Sequence, residues 1–188
     1  MTSAGSVGGD DRFRLFLALR LPAAALDALQ TWQHEHLRGV RVVPREHLHV
    51  TLAFLGSRPA GELEAIVGAL REASAGVARE IRLAPERYRE GRSVGMLVLD
   101  DEAGRATALA GDVQERLERL GVYRREGRPW LAHVTVARFR ERPRLQPSPP
   151  PDRTFVPSDA AAYLSRLRPS GAQYEVLESV ALGDVGGE

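Results

Sequence analysis

Apolar and polar positions alternate from Arg12 to Arg20, placing Phe13, Leu15, Leu17 and Leu19 on one face, the pattern of a half-buried strand. Pro22 then opens a helix over Ala23–His36, where its missing N–H costs nothing. Arg38–Pro44 reads as a loop and His47–Leu55 as a strand closed by Gly56. The 3.6-residue period of Leu63, Ile66, Val67 and Leu70 predicts a helix over Gly61–Val77. Strands follow at Glu80–Tyr88 and Val94–Leu99. A helix follows at Ala103–Leu120, with Leu109, Val113, Leu117 and Leu120 on its stripe, Asp100-Asp101-Glu102 as its cap and Gly121 as its stop. Leu131–Phe139 is a strand. Arg142–Pro157 carries six of the twelve prolines and reads as an irregular loop. Two last strands, Ala161–Leu167 and Tyr174–Leu182, flank a turn at Pro169-Ser170-Gly171.

Strands and helices mix without strict alternation, so the expected class is α+β, with helices on one face of antiparallel sheets. The chain of 188 residues with 43% hydrophobic content can bury a sizeable core. The expected organisation is a disordered Gly/Ser-rich lead over 1–11, one bilobal domain over 12–183 and a loose tail over 184–188. Cysteine is absent, which excludes disulfides, thiolate catalysis and cysteine zinc sites. No apolar run reaches the length of a membrane span, and the lead lacks an apolar signal core, so the expected location is the cytoplasm and no membrane partner is expected. A net charge of +1 sets up no strong global field. All 26 basic residues are arginine, a bias expected of a GC-rich genome that still supplies planar forks suited to phosphate.

One pattern carries chemistry. His49-Val50-Thr51-Leu52 recurs 84 residues later as His133-Val134-Thr135-Val136. Side chains alternate along a strand, so His and Thr of each copy share a face. The spacing is close to half the chain and suggests two similar lobes across a groove. In such a groove one imidazole can take a proton and the other give one, on opposite sides of an in-line phosphoryl transfer. The two hydroxyls can hold the non-bridging oxygens. No metal or cofactor is required. The bland alternative is two core strands, each with a satisfied histidine and a β-forming threonine.

These residues resemble the 2H phosphoesterase superfamily, and within it the bacterial and archaeal RNA 2′,3′-cyclic phosphodiesterases, also called 2′-5′ RNA ligases. Arg14-Leu15-Phe16-Leu17-Ala18-Leu19 is similar to the opening strand, Val43–Gly56 to the first motif block and Arg128–Arg138 to the second. Tyr174-Glu175-Val176-Leu177 is similar to the closing strand. The resemblance implies two pseudo-symmetric lobes, each an antiparallel sheet with helices on its outer face, and an active-site groove between them. It implies metal-independent hydrolysis of RNA 2′,3′-cyclic phosphate ends to 2′-phosphates, with weak reverse 2′-5′ ligation. It implies His49 and His133 as the general acid and general base, with the order His49 acid and His133 base or its reverse left open, and Thr51, Thr135 and Arg138 as phosphate-binding. A flat strand would turn Arg138 away from His133, so a bulge or a turn of the strand is required there. The sequence departs from the family pattern at Ala132, where Pro is common, and at His47, where a small polar residue is common.

Other readings compete for particular residues. His47 and His49 have metal-ligand spacing on a strand, which would suit zinc with a carboxylate, while His34 and His36, another such pair, lie at the end of the first helix and read as solvated or dipole-facing side chains. Phe16 and Trp130 could stack on a base or sit in the core. Arg41, Arg45, Arg124, Arg125, Arg128 and Arg140 could rim the groove or be ordinary solvated surface. The rival functions are a phosphodiesterase for a small cyclic nucleotide or an ADP-ribose cyclic phosphate, a non-catalytic RNA-end binding module, and a metal phosphoesterase. The expected partner is RNA with a 2′,3′-cyclic phosphate end. No obligate protein partner is expected, and the default state is a monomer.

Overall fold

The computed structural model describes residues 11–151 and 154–183. Residues 1–10 of the expected lead and 184–188 of the expected tail lie outside the described residues. Asp11 lies inside them, and its carbonyl accepts the N–H of Ala60 at 2.8 Å.

The strands are β1 (Arg12–Arg20), β2 (Arg41–Val42), β3 (His49–Pro59), β4 (Leu83–Glu90), β5 (Val94–Asp101), β6 (His133–Arg138), β7 (Asp159–Arg168) and β8 (Gly171–Val180). The helices are α1 (Ala23–His36), α2 (Leu63–Ala75) and α3 (Arg105–Arg119). The strands form one curled antiparallel half-barrel in the order β4-β5-β6-β3-β1-β7-β8, with β2 beside the end of β6 on the side that β3 pairs. Its two halves meet at a thin seam, where β3 and β6 share the single registered pair Val50–Val134. On either side of this seam stand a sheet of β3-β1-β7-β8 and a sheet of β6-β5-β4.

β1 is buried on both faces from Leu15 to Leu19, where its alternation predicted one buried face, because other strands pair on both of its sides and aromatic residues cover its concave face. Leu15, Leu17 and Leu19 point into the main core, and each contributes about 1.5–3 kcal/mol by leaving water. They meet Val50 and Leu52 of β3, Val134 and Val136 of β6, and the stripes of α1 (Leu29, Trp32), α2 (Ile66, Leu70) and α3 (Val113, Leu117). The opposite, concave face of β1 carries Phe16 and Ala18, packed with Ala161, Tyr163 and Tyr174. α3 begins two residues later than expected, because Glu102–Gly104 forms a 3₁₀ turn with Ala103 at φ +57, and the Asp101 carboxylate accepts the N–H groups of Ala106 and Thr107 at 2.9 and 2.7 Å.

Three local expectations are corrected. The loop over Arg38–Pro44 contains β2, two residues that pair with Ala137 and Arg138 and extend the β6 edge. Gly56 does not close β3. It takes φ +67 inside a bulge opposite β1, and the strand runs on to Pro59. His47 does not share a strand with His49, because Arg45–His47 is a 3₁₀ turn after Pro44. Within the described part of Arg142–Pro157 the only regular pairing is a bridge between Phe155 and Leu83.

Candidate active site

Val50–Val134 pairs antiparallel, so the seam sets the two motifs head to tail about a local pseudo-twofold. His49 and Thr51 project from β3, and His133 and Thr135 from β6, into the same groove. The two copies share more than the motif. In β3, Ala18 pairs with Thr51 while Leu17 pairs with Ala53, leaving Leu52 as an extra residue. In β6, Met96 pairs with Thr135 while Gly95 pairs with Ala137, leaving Val136 extra. Each motif therefore carries a β-bulge at its fourth residue. The bulge breaks the two-residue period and turns the sixth residue onto the face of the histidine. That residue is Arg138 in β6, where the phosphate-binding role implied by the resemblance requires it to face the groove, and Phe54 in β3, which is 49% exposed.

A buried glutamine holds each bulge. Gln114 of α3 donates Nε2–H to the Leu52 carbonyl at 2.9 Å. Gln33 of α1 donates to the Val136 carbonyl at 2.8 Å and to that of Val43 at 3.0 Å. Gln33 and Gln114 are 2% and 8% exposed, and at such depth an unpaired carbonyl costs about 1–3 kcal/mol. The sequence reading missed Phe54 and both glutamines. Their signals were present: Leu52-Ala53 and Val136-Ala137 interrupt the alternation, and Gln33 and Gln114 occupy apolar-face positions of their helices.

The histidines are oriented alike and housed differently. His49 Nδ1 lies 2.8 Å from the His47 carbonyl, and His133 Nδ1 lies 2.8 Å from that of Leu131. A carbonyl only accepts, so each Nδ1 carries a proton and each Nε2 faces the groove. His49 Nε2 also meets Thr51 Oγ1 at 3.0 Å. The His49 ring stacks on Phe16 at 4.9 Å, with Tyr174 edge-on at 5.8 Å and Tyr163 at 6.1 Å. Burial in this bed, more than any other cause, pushes the His49 pKa down to about 4. The bond to the His47 carbonyl opposes the shift, and nearby positive charge on His47, His133 and Arg138 adds to it.

The other residues singled out from the sequence fall as follows. Phe16 is 3% exposed, stacked between His49 and Tyr163, and backs the imidazole rather than offering a face to a base. The Trp130 indole N–H donates to the Thr51 carbonyl at 3.0 Å and its ring packs against the core. His47 tilts onto Tyr174 at 4.3 Å, and burial lowers its pKa. Among the described residues no three His, Asp or Glu side chains converge as a metal-ligand set. His36 lies beside Trp32 and Glu35. Arg45, Arg125 and Arg128 form ion pairs with Asp27, Glu118 and Glu126. Among the described residues no helix is long and apolar enough to cross a membrane.

Two His-x-Thr strands facing each other across the seam of a curled sheet form the arrangement expected of a two-histidine phosphoesterase. A family model described as LigT like Phosphoesterase matches residues 19–90. A solved phosphoesterase superposes with a TM-score of 0.79 at 22% identity, over 93% of this chain and 100% of that one. E. coli LigT complexed with NADP+ superposes at 0.77 with 23% identity, over 93% and 100%. TT0787 of Thermus thermophilus superposes at 0.76 with 31% identity, over 91% and 99%. No curated protein matches the chain. The chain belongs to the LigT-like phosphoesterases of the 2H superfamily.

Proposed function

We propose that the protein hydrolyses RNA 2′,3′-cyclic phosphate ends to 2′-phosphomonoesters without a metal, in the cytoplasm and as a monomer, with weak 2′-5′ ligation when a 5′-hydroxyl takes the place of water as nucleophile. The observation that carries the reading is the pairing of two groove-facing Nε2 atoms across the Val50–Val134 seam, each with a threonine hydroxyl two residues on. A phosphorus between them meets in-line geometry, with attack from one side and departure on the other. E. coli LigT has been solved with 3′-AMP and with phosphate, ligands whose chemistry suits such a groove.

In this reading water is the nucleophile. His133 Nε2 takes its proton as the new P–O bond forms. The bond from phosphorus to O3′ breaks, and His49 Nε2–H protonates that oxygen, leaving the phosphate on O2′. Thr51, Thr135 and Arg138 hold the non-bridging oxygens. The low proton affinity of His49 fits this order once a phosphate is bound. The anion offsets the charges of His47, His133 and Arg138, and so raises the His49 pKa. Protonation also turns Nε2 from acceptor to donor, which releases the Thr51 hydroxyl to donate to phosphate. Phe54, exposed at the place equivalent to Arg138, offers a face on which the terminal base can stack.

The test is incubation of a short RNA ending in a 2′,3′-cyclic phosphate with excess EDTA, followed by identification of the product end. A 2′-phosphate is expected, and a 3′-phosphate or turnover only with added metal would overturn the reading.

A further inference from the structure

Arg41 and Arg138 stand directly opposite each other in the β2–β6 pair, so both side chains leave the same face of the sheet. Like charges in that position repel, and a fold gains nothing from placing them there. Among the described residues neither guanidinium has a carboxylate partner, whereas Arg45, Arg125 and Arg128 all do. The shared face is the groove face, because the Val136 bulge turns Arg138 toward the histidines, and its charge is felt at both His47 and His49.

Arg41 extends this positive end across the groove. Its guanidinium lies 3.1 Å from where a side-chain carbon on Gly171 would stand, at the start of β8 on the opposite sheet. Three residues on, Tyr174 closes the same end against His47. β2 lies on the β3 side of β6, because β5 pairs β6 along its other side, and the Arg41–Arg138 pair stands four residues along β6 from the Val50–Val134 pair. Arg138 and Arg41 thus stand together at one end of the groove, beyond the seam pair.

We propose that Arg41, with Arg138, forms a second anion subsite that takes a further phosphate group of the substrate. The inference rests on the function proposed above and deepens it: when the reacting phosphate closes the 3′ end of a strand, every further phosphate lies on its 5′ side. The shared chemistry is a phosphate on the 5′ oxygen of the terminal nucleoside, supplied by the next diester of an oligonucleotide or by a 5′-terminal phosphate. Arg41 in this role binds substrate and takes no part in proton transfer.

The test uses inert ligands, so it does not depend on turnover. Calorimetry on the full-length protein compares adenosine 2′-phosphate, adenosine 2′,5′-bisphosphate and the dinucleotide ApA carrying a 2′-phosphate, for the wild type and for Arg41→Ala and Arg41→Lys. The wild type is expected to favour at least one doubly phosphorylated ligand by about tenfold, as charge-assisted contacts allow. Arg41→Ala is expected to reduce that preference to about twofold or less, with Arg41→Lys intermediate because it keeps charge but loses the fork. An effect confined to the dinucleotide assigns the subsite to a diester, and one confined to the bisphosphate assigns it to a terminal phosphate. No preference in the wild type, or a preference that survives Arg41→Ala, would overturn the proposal. Failure of the cyclic-phosphate assay with these preferences intact would overturn the proposed reaction and leave the subsite standing.

Discussion

The two copies of the His-x-Thr strand share a backbone design and differ in what surrounds them. Both have the Nδ1-to-carbonyl bond, the bulge at the fourth residue and a buried glutamine on that bulge. The first copy lies against Phe16, Tyr163 and Tyr174 and ends in Phe54. The second ends in Arg138, opposite Arg41. Duplication of a strand supplies symmetric geometry, and in-line displacement needs that symmetry around phosphorus. Proton transfer needs the reverse, since one imidazole must give what the other takes. Here the asymmetry comes from the neighbouring strands β1, β7 and β8, which cover one histidine with the rings of Phe16, Tyr163 and Tyr174.

The largest expected effect breaks both copies equally. His49→Ala and His133→Ala should each lower kcat by about 10²–10⁴-fold, and the double variant by little more than one single, because the two groups act as a unit. Product formation from a cyclic-phosphate oligonucleotide checks this. Thr51→Val and Thr135→Val come next, with losses of about 10²-fold as an oxygen loses its donor. Unequal losses would show that the hydroxyl bonded to His49 serves the imidazole more than the phosphate.

The sixth positions sharpen the contrast. Arg138→Ala should raise KM steeply at low salt and less at high salt, because the lost contact is ionic. Phe54→Ala should weaken binding by about 1–3 kcal/mol, independently of salt. Titrations of both variants in two salt concentrations separate these signatures.

The legibility of these features followed local chemistry. β1 and α1 match their expected bounds because a clean alternation meets Pro22, and nothing remote alters either. The motif histidines and threonines stood out because their pattern is confined to four residues. Arg138 needed a bulge, and that need was visible, since its parity conflicted with its role. The same bulge in β3 passed unseen because nothing drew attention to Phe54. Gln33 and Gln114 act through carbonyls 103 and 62 residues away in the chain, and the strand β2 exists only because β6 offers it an edge. Such long-range pairings leave no local pattern.

The glutamine clamps give a smaller effect, read in stability first. Gln33→Leu and Gln114→Leu should each cost about 1–3 kcal/mol in denaturant unfolding, by leaving carbonyls with fewer donors. Gln114→Leu should be the costlier on a per-carbonyl basis, since the Val136 carbonyl retains the N–H of Val43 at 3.0 Å. The effect of Gln33→Leu on KM should vanish in an Arg138→Ala background if the clamp acts through that side chain.

The weakest expected effect is on stability against pH. His49 has a lower pKa folded than unfolded, so the unfolded chain binds the extra proton first. Its contribution is therefore complete above the ordinary imidazole value and is lost as pH falls toward about 4. Tm should decline over that window, and His49→Phe should flatten the decline.

The most direct test of the central claim, that the aromatic bed makes two identical motifs chemically unequal, is an NMR titration of the imidazole resonances, with and without adenosine 2′-phosphate. The account predicts a His49 midpoint near 4 in the free protein and a clear upward displacement when the phosphate binds. A His49 midpoint at the ordinary value of about 6.5, unmoved by the ligand, would contradict it.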